Sequence, residues 1–87
     1  MKRKKVRGGE VTTTTENQDI LGVKNGKNTI LTNVTVINKS EERIHIIING
    51  GDQLPLDPDE SMSLGDISVD TIEVVEKRAV VRYIGVE

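Results

Sequence analysis

TILTNVTVIN, residues Thr29 to Asn38, and RIHIIIN, residues Arg43 to Asn49, are the two stretches that decide the fold. In the first, Ile30, Thr32, Val34 and Val36 share one parity, and Leu31, Asn33, Thr35 and Ile37 the other. In the second, Ile44, Ile46 and Ile48 alternate with His45, Ile47 and Asn49. A period of two belongs to strands, because successive Cβ atoms point to opposite sides of a pleated chain. Both stretches are also rich in β-branched side chains, which suit a pleated surface better than a helix. The polar segment Lys39–Glu42 between them reads as a loop, and the two strands read as an antiparallel pair.

The same pattern extends in both directions. Glu10–Glu16 contains four consecutive threonines and reads as a half-exposed edge strand. Ile20, Leu21 and Val23 form a short apolar piece that ends at an Asn25-Gly26 turn. Downstream, Asn49-Gly50-Gly51-Asp52 is a second turn. Gln53–Leu56 is a short strand interrupted by Pro55, as at an edge or a corner. Asp57-Pro58-Asp59-Glu60 carries type I turn chemistry, with Asp first and Pro second. Ser61–Leu64 puts Met62 and Leu64 on one side, Gly65-Asp66 turns the chain, Asp70–Glu76 presents Ile72 and Val74 together, and Lys77-Arg78 bends it again. The closing strand, Ala79–Val86, has Ala79, Val81 and Tyr83 on one face and Val80, Arg82, Ile84 and Val86 on the other; its alternation leaves the core face undecided. The expectation is an all-β domain, an antiparallel sandwich or barrel of seven to eight short strands, with an extended N-terminal arm and no helix of ordinary length.

Composition agrees. The chain has ten Ile and eleven Val but only one Ala, the best helix former. Its 87 residues make one domain, near the size at which a single core barely suffices. Chains of this size often add disulfides, a metal or self-association. There is no cysteine and only one histidine, His45, so disulfides and thiolate sites are excluded, an imidazole metal site is disfavoured, and association is the device left. No apolar run approaches the length of a membrane span, and the basic start lacks the apolar stretch of a secretory signal.

Charge is divided unevenly. Five of the twelve basic residues, Lys2, Arg3, Lys4, Lys5 and Arg7, lie in the first seven positions with no acid among them. All fourteen acids lie from Glu10 onward, where seven bases remain. The reading is a basic flexible arm over residues 1–9, jointed at Gly8-Gly9, on an acidic β domain over residues 10–87. Those five side chains are the expected partner-binding residues, because a charge run of this kind reaches a surface of opposite sign outside its own domain.

Catalysis finds no support. His45 alternates with core isoleucines and is expected to face solvent or a neighbouring subunit; the serines lack a nucleophile-elbow context, and no glycine pair precedes a helix to cradle phosphate. Asp57, Asp59, Glu60, Asp66 and Asp70 are dense, yet their spacing is not that of an EF-hand loop, and they read as exposed turn acids. The chain is read as a non-enzyme with no cofactor and no metal. Nucleic acid ranks below protein as the arm's partner: the body has the wrong sign, Tyr83 is the sole aromatic, and there is no recognition helix. Ile37, Ile47 and Val75 sit on the outward parity, as a second core layer or as a subunit contact.

From about Glu10 to Val86 the order of elements resembles a group of small β-sandwich virion proteins of tailed bacteriophages. The resemblance rests on ILTNVTVINKS ending in an N-x-S corner, RIHIIING as its partner, LPLDPDESMSL in the place of an L-x-P-G-E-type turn, DTIEVVE, and a final VVRYIGVE. Asp59 stands where that group more usually has glycine, and the basic arm is not part of its pattern. The resemblance implies a head-decoration protein that docks on the major capsid protein lattice as a homo-oligomer, assembled into virions in the host cytoplasm. A neck, tail or fibre-base adaptor is the alternative, and a nucleic-acid-binding module using the arm is a third reading.

Overall fold

In the computed structural model, which describes residues 3–26 and 29–87, the chain forms two four-stranded antiparallel sheets packed face to face. The all-β sandwich expected from the alternation is what is found. Strands β1 (Val6–Thr12), β3 (Thr32–Asn38), β6 (Ser61–Ser63) and β8 (Val80–Val86) make one sheet, in the order β1-β8-β3-β6. Strands β2 (Gln18–Asp19), β4 (Ile44–Ile48), β5 (Gln53–Leu56) and β7 (Ile72–Val74) make the other, in the order β2-β7-β4-β5. Among the described residues a single short helix, α1 (Ile20–Asn25), follows β2; Asp19 caps it by accepting the Leu21 N–H, and Gly26 closes it at φ 86°. No helix among the described residues is long and apolar enough to cross a membrane.

The expected pairing of the two diagnostic strands is not formed. β3 and β4 lie in different sheets, and their apolar faces look at each other across the core instead of standing side by side. Val34 and Val36 from β3 and Ile44 and Ile46 from β4 are all buried. Asn38 directs the crossing. Its side chain is fully buried; Nδ2 donates to the carbonyls of Glu42 and Leu56, both at 2.8 Å, and Oδ1 accepts the Ser40 N–H at 2.8 Å. One amide thus ties together the end of β3, the Lys39–Arg43 arch and the end of β5, leaving none of its own polar atoms unpaired in the interior. Among chain-consecutive strands only β4 and β5 are bonded neighbours. Their turn places Asn49 at φ 53° and Gly50 at φ 72°, the left-handed pair that a tight hairpin requires.

Two further local expectations change. Ile30 was expected inside with Val34 and Val36, but it is 56% exposed, while Leu31 is buried. A register shift between Thr32 and Thr35, with Asn33 at φ 52°, adds one residue and reverses the facing of the first part of the run. The Asp57–Glu60 turn closes by Glu60 N–H donating to the Asp57 carbonyl at 2.9 Å, but Asp59 has φ 62°; positive φ at the third residue is a type II feature, not the type I expected. That is also the conformation glycine favours, and Asp59 holds it with its carboxylate on Lys39 Nζ at 2.8 Å and its N–H on the Asn38 carbonyl at 2.7 Å.

The closing strand's core face is now decided: Ala79, Val81 and Tyr83 point inward. Gly85 continues that face where a β-carbon would come within 2.9 Å of Val34 and 3.0 Å of Leu31, so its missing side chain makes room for both. β8 is one of the two interior strands of its sheet, paired with β1 on one side and β3 on the other. β5, with Pro55, is an edge strand as expected.

Candidate functional site

The expected arm divides in two. Residues 6–9 are not a tether but the first half of β1, in register with β8 from Val6 opposite Val86 to Thr12 opposite Val80. The boundary expected after Gly9 therefore falls inside a strand. Gly8-Gly9 was expected to be a flexible joint, and the structure shows another use for it. A β-carbon on Gly8 would lie 2.3 Å from the Tyr83 carbonyl oxygen, so the bare backbone lets β1 lie close against β8. Gly9 sits under the Lys24 side chain of α1, which a β-carbon would meet at 2.8 Å.

Of the five expected partner-binding residues, Arg7 is engaged within the chain. Its guanidinium meets the Glu87 carboxylate, with Nη2 to Oε1 at 3.0 Å. Arg3, Lys4 and Lys5 are exposed, precede the first strand, and take part in none of the ion pairs among the described residues. Lys5 is anchored through its backbone, whose carbonyl accepts the Glu87 N–H at 2.8 Å. Lys2 lies outside the described residues. The result is a short cationic segment leaving one end of an anionic sandwich, next to the last residue of β8's neighbourhood, Glu87.

The opposite end holds a cleft of about 470 Å³ between the sheets, bordered by Ser40, Glu42, Arg43, Glu76, Lys77 and Arg78. Its charges are mixed: Arg43 and Glu76 have partners, while Glu42, Lys77 and Arg78 enter none of the ion pairs among the described residues. Arg43 donates to Asp57 Oδ1 at 2.6 Å, and this contact raises its pKa. Lys39 holds the Asp59 carboxyl below its usual range, mainly by a direct hydrogen bond. His45, expected to face solvent or a neighbour, lies on the outer face of β4, partly exposed and engaged with Glu76. Its Nδ1 lies 2.7 Å from Glu76 Oε2, and its backbone N–H donates to Oε1 at 2.8 Å. Partial burial alone would push the Glu76 carboxyl up; the hydrogen bonds from His45 outweigh it and hold the group below its ordinary range. This clamp links β4 to the second residue past β7 and was not visible in the sequence, since its members lie 31 residues apart with no motif joining them.

Tyr83 is buried beneath β1, its hydroxyl hydrogen-bonded to the Asn25 side chain; burial raises its pKa, with the Asn25 bond opposing. Ile37, Ile47 and Val75 are half-buried on outer faces and do not share a patch, because Ile37 belongs to one sheet and Ile47 to the other. Ile37 flanks a shallow apolar groove of about 280 Å³ with Thr35, Arg82 and Ile84. Among the described residues no three carboxylate or imidazole side chains converge to hold a metal ion. The acids Asp57, Asp59, Glu60, Asp66 and Asp70 are exposed, as turn acids were expected to be.

The chain was compared with protein-family models, curated proteins and solved structures, and no significant match was found in any of the three.

Proposed function

We propose that this protein is a structural virion component that stabilises a capsid by docking, as an oligomer, on the lattice of the major capsid protein. The observation that carries this reading is the exposed cationic segment beside an anionic body. Arg3, Lys4 and Lys5, preceded by Lys2, have no carboxylate partner among the described ion pairs, while a body with twice as many acids as bases offers docking energy mainly to an unlike surface. Each exposed pair contributes about 0–1 kcal/mol. Repetition over a symmetric assembly multiplies such weak contacts into avidity. The anchor is narrower than the five residues first expected, because Arg7 is held by Glu87.

The test is deletion of residues 2–5, which lie ahead of β1, followed by binding to purified shells at low and raised salt and imaging of the particles. The truncated body should fold as before and lose most of its shell occupancy, with the intact chain weakening as salt rises. Full decoration by the truncated protein at raised salt would exclude the segment as the anchor. A second reading, a neck, tail or fibre-base adaptor held by strand addition, is favoured by one observation: β1 is an edge strand with a free side. Density at repeated lattice sites supports decoration; a ring of copies at a single vertex supports the adaptor. A salt-dependent shift of random DNA would point to nucleic acid as the arm's partner instead.

A further inference from the structure

Among the described residues, β1 presents one side of its backbone to no strand. Glu87 N–H donates to the Lys5 carbonyl at 2.8 Å, Thr13 N–H donates to the Ala79 carbonyl at 2.9 Å, and the register between these points is unbroken. In an antiparallel ladder, alternate residues bond toward a given neighbour. The odd-numbered residues of this stretch therefore bond to β8, and the N–H and C=O groups of Val6, Gly8, Glu10 and Thr12 point to the open edge. The same four residues stand on the outer face of the sheet, opposite Val86, Ile84, Arg82 and Val80. An open edge seven residues long is a template for another strand, and proteins that stay monomeric usually obstruct it.

The edge is complementary to itself. Continued past the start of the strand, the alternation puts Lys4 on the outer face at one end, with Glu10 toward the other, and Val6, which is 65% exposed, is followed two residues later by Gly8, which has no side chain. We propose that β1 pairs antiparallel with β1 of a second copy of this chain, with Arg7 on the two-fold axis. This register sets Lys4 against Glu10 of the second copy and seats Val6 over Gly8 of the second copy, each contact occurring twice. It joins the β1-β8-β3-β6 sheets of the two copies into one of eight strands. Arg7 faces its own equivalent, but each guanidinium is already neutralised by Glu87 of its own chain. A register centred on Glu10 would carry Lys4 past the end of the opposing strand and forfeit both charge pairs, so it is disfavoured. The dimer specifies the oligomer of the shell-docking reading yet rests on the edge alone. It leaves Arg3 and Lys5, which have the other parity, available to a shell.

Sedimentation equilibrium of the full chain, without shells, tests it. The wild type should show a monomer–dimer equilibrium that weakens as salt rises. Lys4→Glu and Glu10→Lys should each weaken dimerisation roughly tenfold, through two like-charge pairs, and the double variant K4E/E10K should restore it. Lys4→Glu keeps the trial meaningful if Glu10→Lys disturbs the fold through its pair with Arg82, since Lys4 takes part in no ion pair among the described residues. At high concentration the amides of Val6, Gly8 and Glu10 should gain protection from exchange. A monomer at every concentration, a trimer or larger closed ring, no recovery in the double variant, or those amides exchanging freely in the assembled state would each overturn the proposal. Full shell binding by the chain lacking residues 2–5 would instead count against the arm as anchor and would leave the dimer proposal standing.

Discussion

Replacing Asn38 with alanine probes the corner that sends β3 and β4 to opposite sheets. The native side chain is fully buried and makes three hydrogen bonds, two from Nδ2 to the Glu42 and Leu56 carbonyls and one to Oδ1 from Ser40 N–H. A neutral bond of this kind contributes about 1 kcal/mol net, and a buried group left unpaired costs about 1–3 kcal/mol. The Leu56 contact is the fully buried one, while the other two are partly accessible, so water recovers some of their loss. The expected destabilisation is about 3 kcal/mol. A domain of 87 residues has total stability of roughly 4–13 kcal/mol, so the loss is a large share. It should appear as a fall in Tm of roughly 12–24 °C, at about 4–8 °C per kcal/mol for this size. Urea unfolding followed by circular dichroism measures it, with the m-value unchanged if the variant still folds to the same sandwich. A loss under about 0.5 kcal/mol would show that the arch holds its course without the amide, and that Asn38 is not the tie between the two sheets.

Other consequences are open to measurement. Gly8→Ala would drive a β-carbon into the Tyr83 carbonyl and should destabilise by about 1–3 kcal/mol; an unchanged Tm would mean that β1 is not held against β8 as described. Tyr83→Phe removes the hydroxyl contact with Asn25 and should cost about 1 kcal/mol in urea titrations, with β1 and the rest of the sheet intact by near-identical spectra. The Glu76 carboxyl has a depressed folded-state pKa, so its contribution is present above its ordinary value of 4.5 and is lost as the pH falls through the folded value. Glu76→Gln should therefore lower stability at neutral pH and flatten the acid limb of a stability–pH curve below about pH 4.5; a parallel curve for the variant would show that His45 does not hold that carboxylate in solution.

Much of the architecture was legible because alternation and turn chemistry are local. The isoleucines of β4, the hairpin at Asn49-Gly50, the edge position of Pro55 and the all-β class follow from side-chain parity and from residues that tolerate positive φ. The errors have a common origin. Two strands with one apolar face each satisfy their burial equally well side by side in a sheet or face to face across a core, and nothing in TILTNVTVIN or RIHIIIN distinguishes the two. Asn38 makes the choice, through carbonyls as distant in sequence as Leu56, which lies 18 residues away. Likewise, Ile30 and Leu31 exchange places because a bulge at Asn33 shifts parity by one residue, a change that an unbroken alternation hides.

The candidate site was half visible. A run of basic residues announces itself in composition, because charge is a property of the residue and needs no fold. Which of those charges remain available depends on distant partners. Arg7 is taken by Glu87, 80 positions away, and Gly8-Gly9 lies flat against Tyr83 where its composition suggested a joint. The chain's own residues prescribe strands, turns and an unequal distribution of charge, since each arises from local sterics and ionisation. Which strands are neighbours, which face of β8 is interior, where the arm ends and which backbone edge is left open come from long-range packing and pairing, whose energies exist only once remote segments have met.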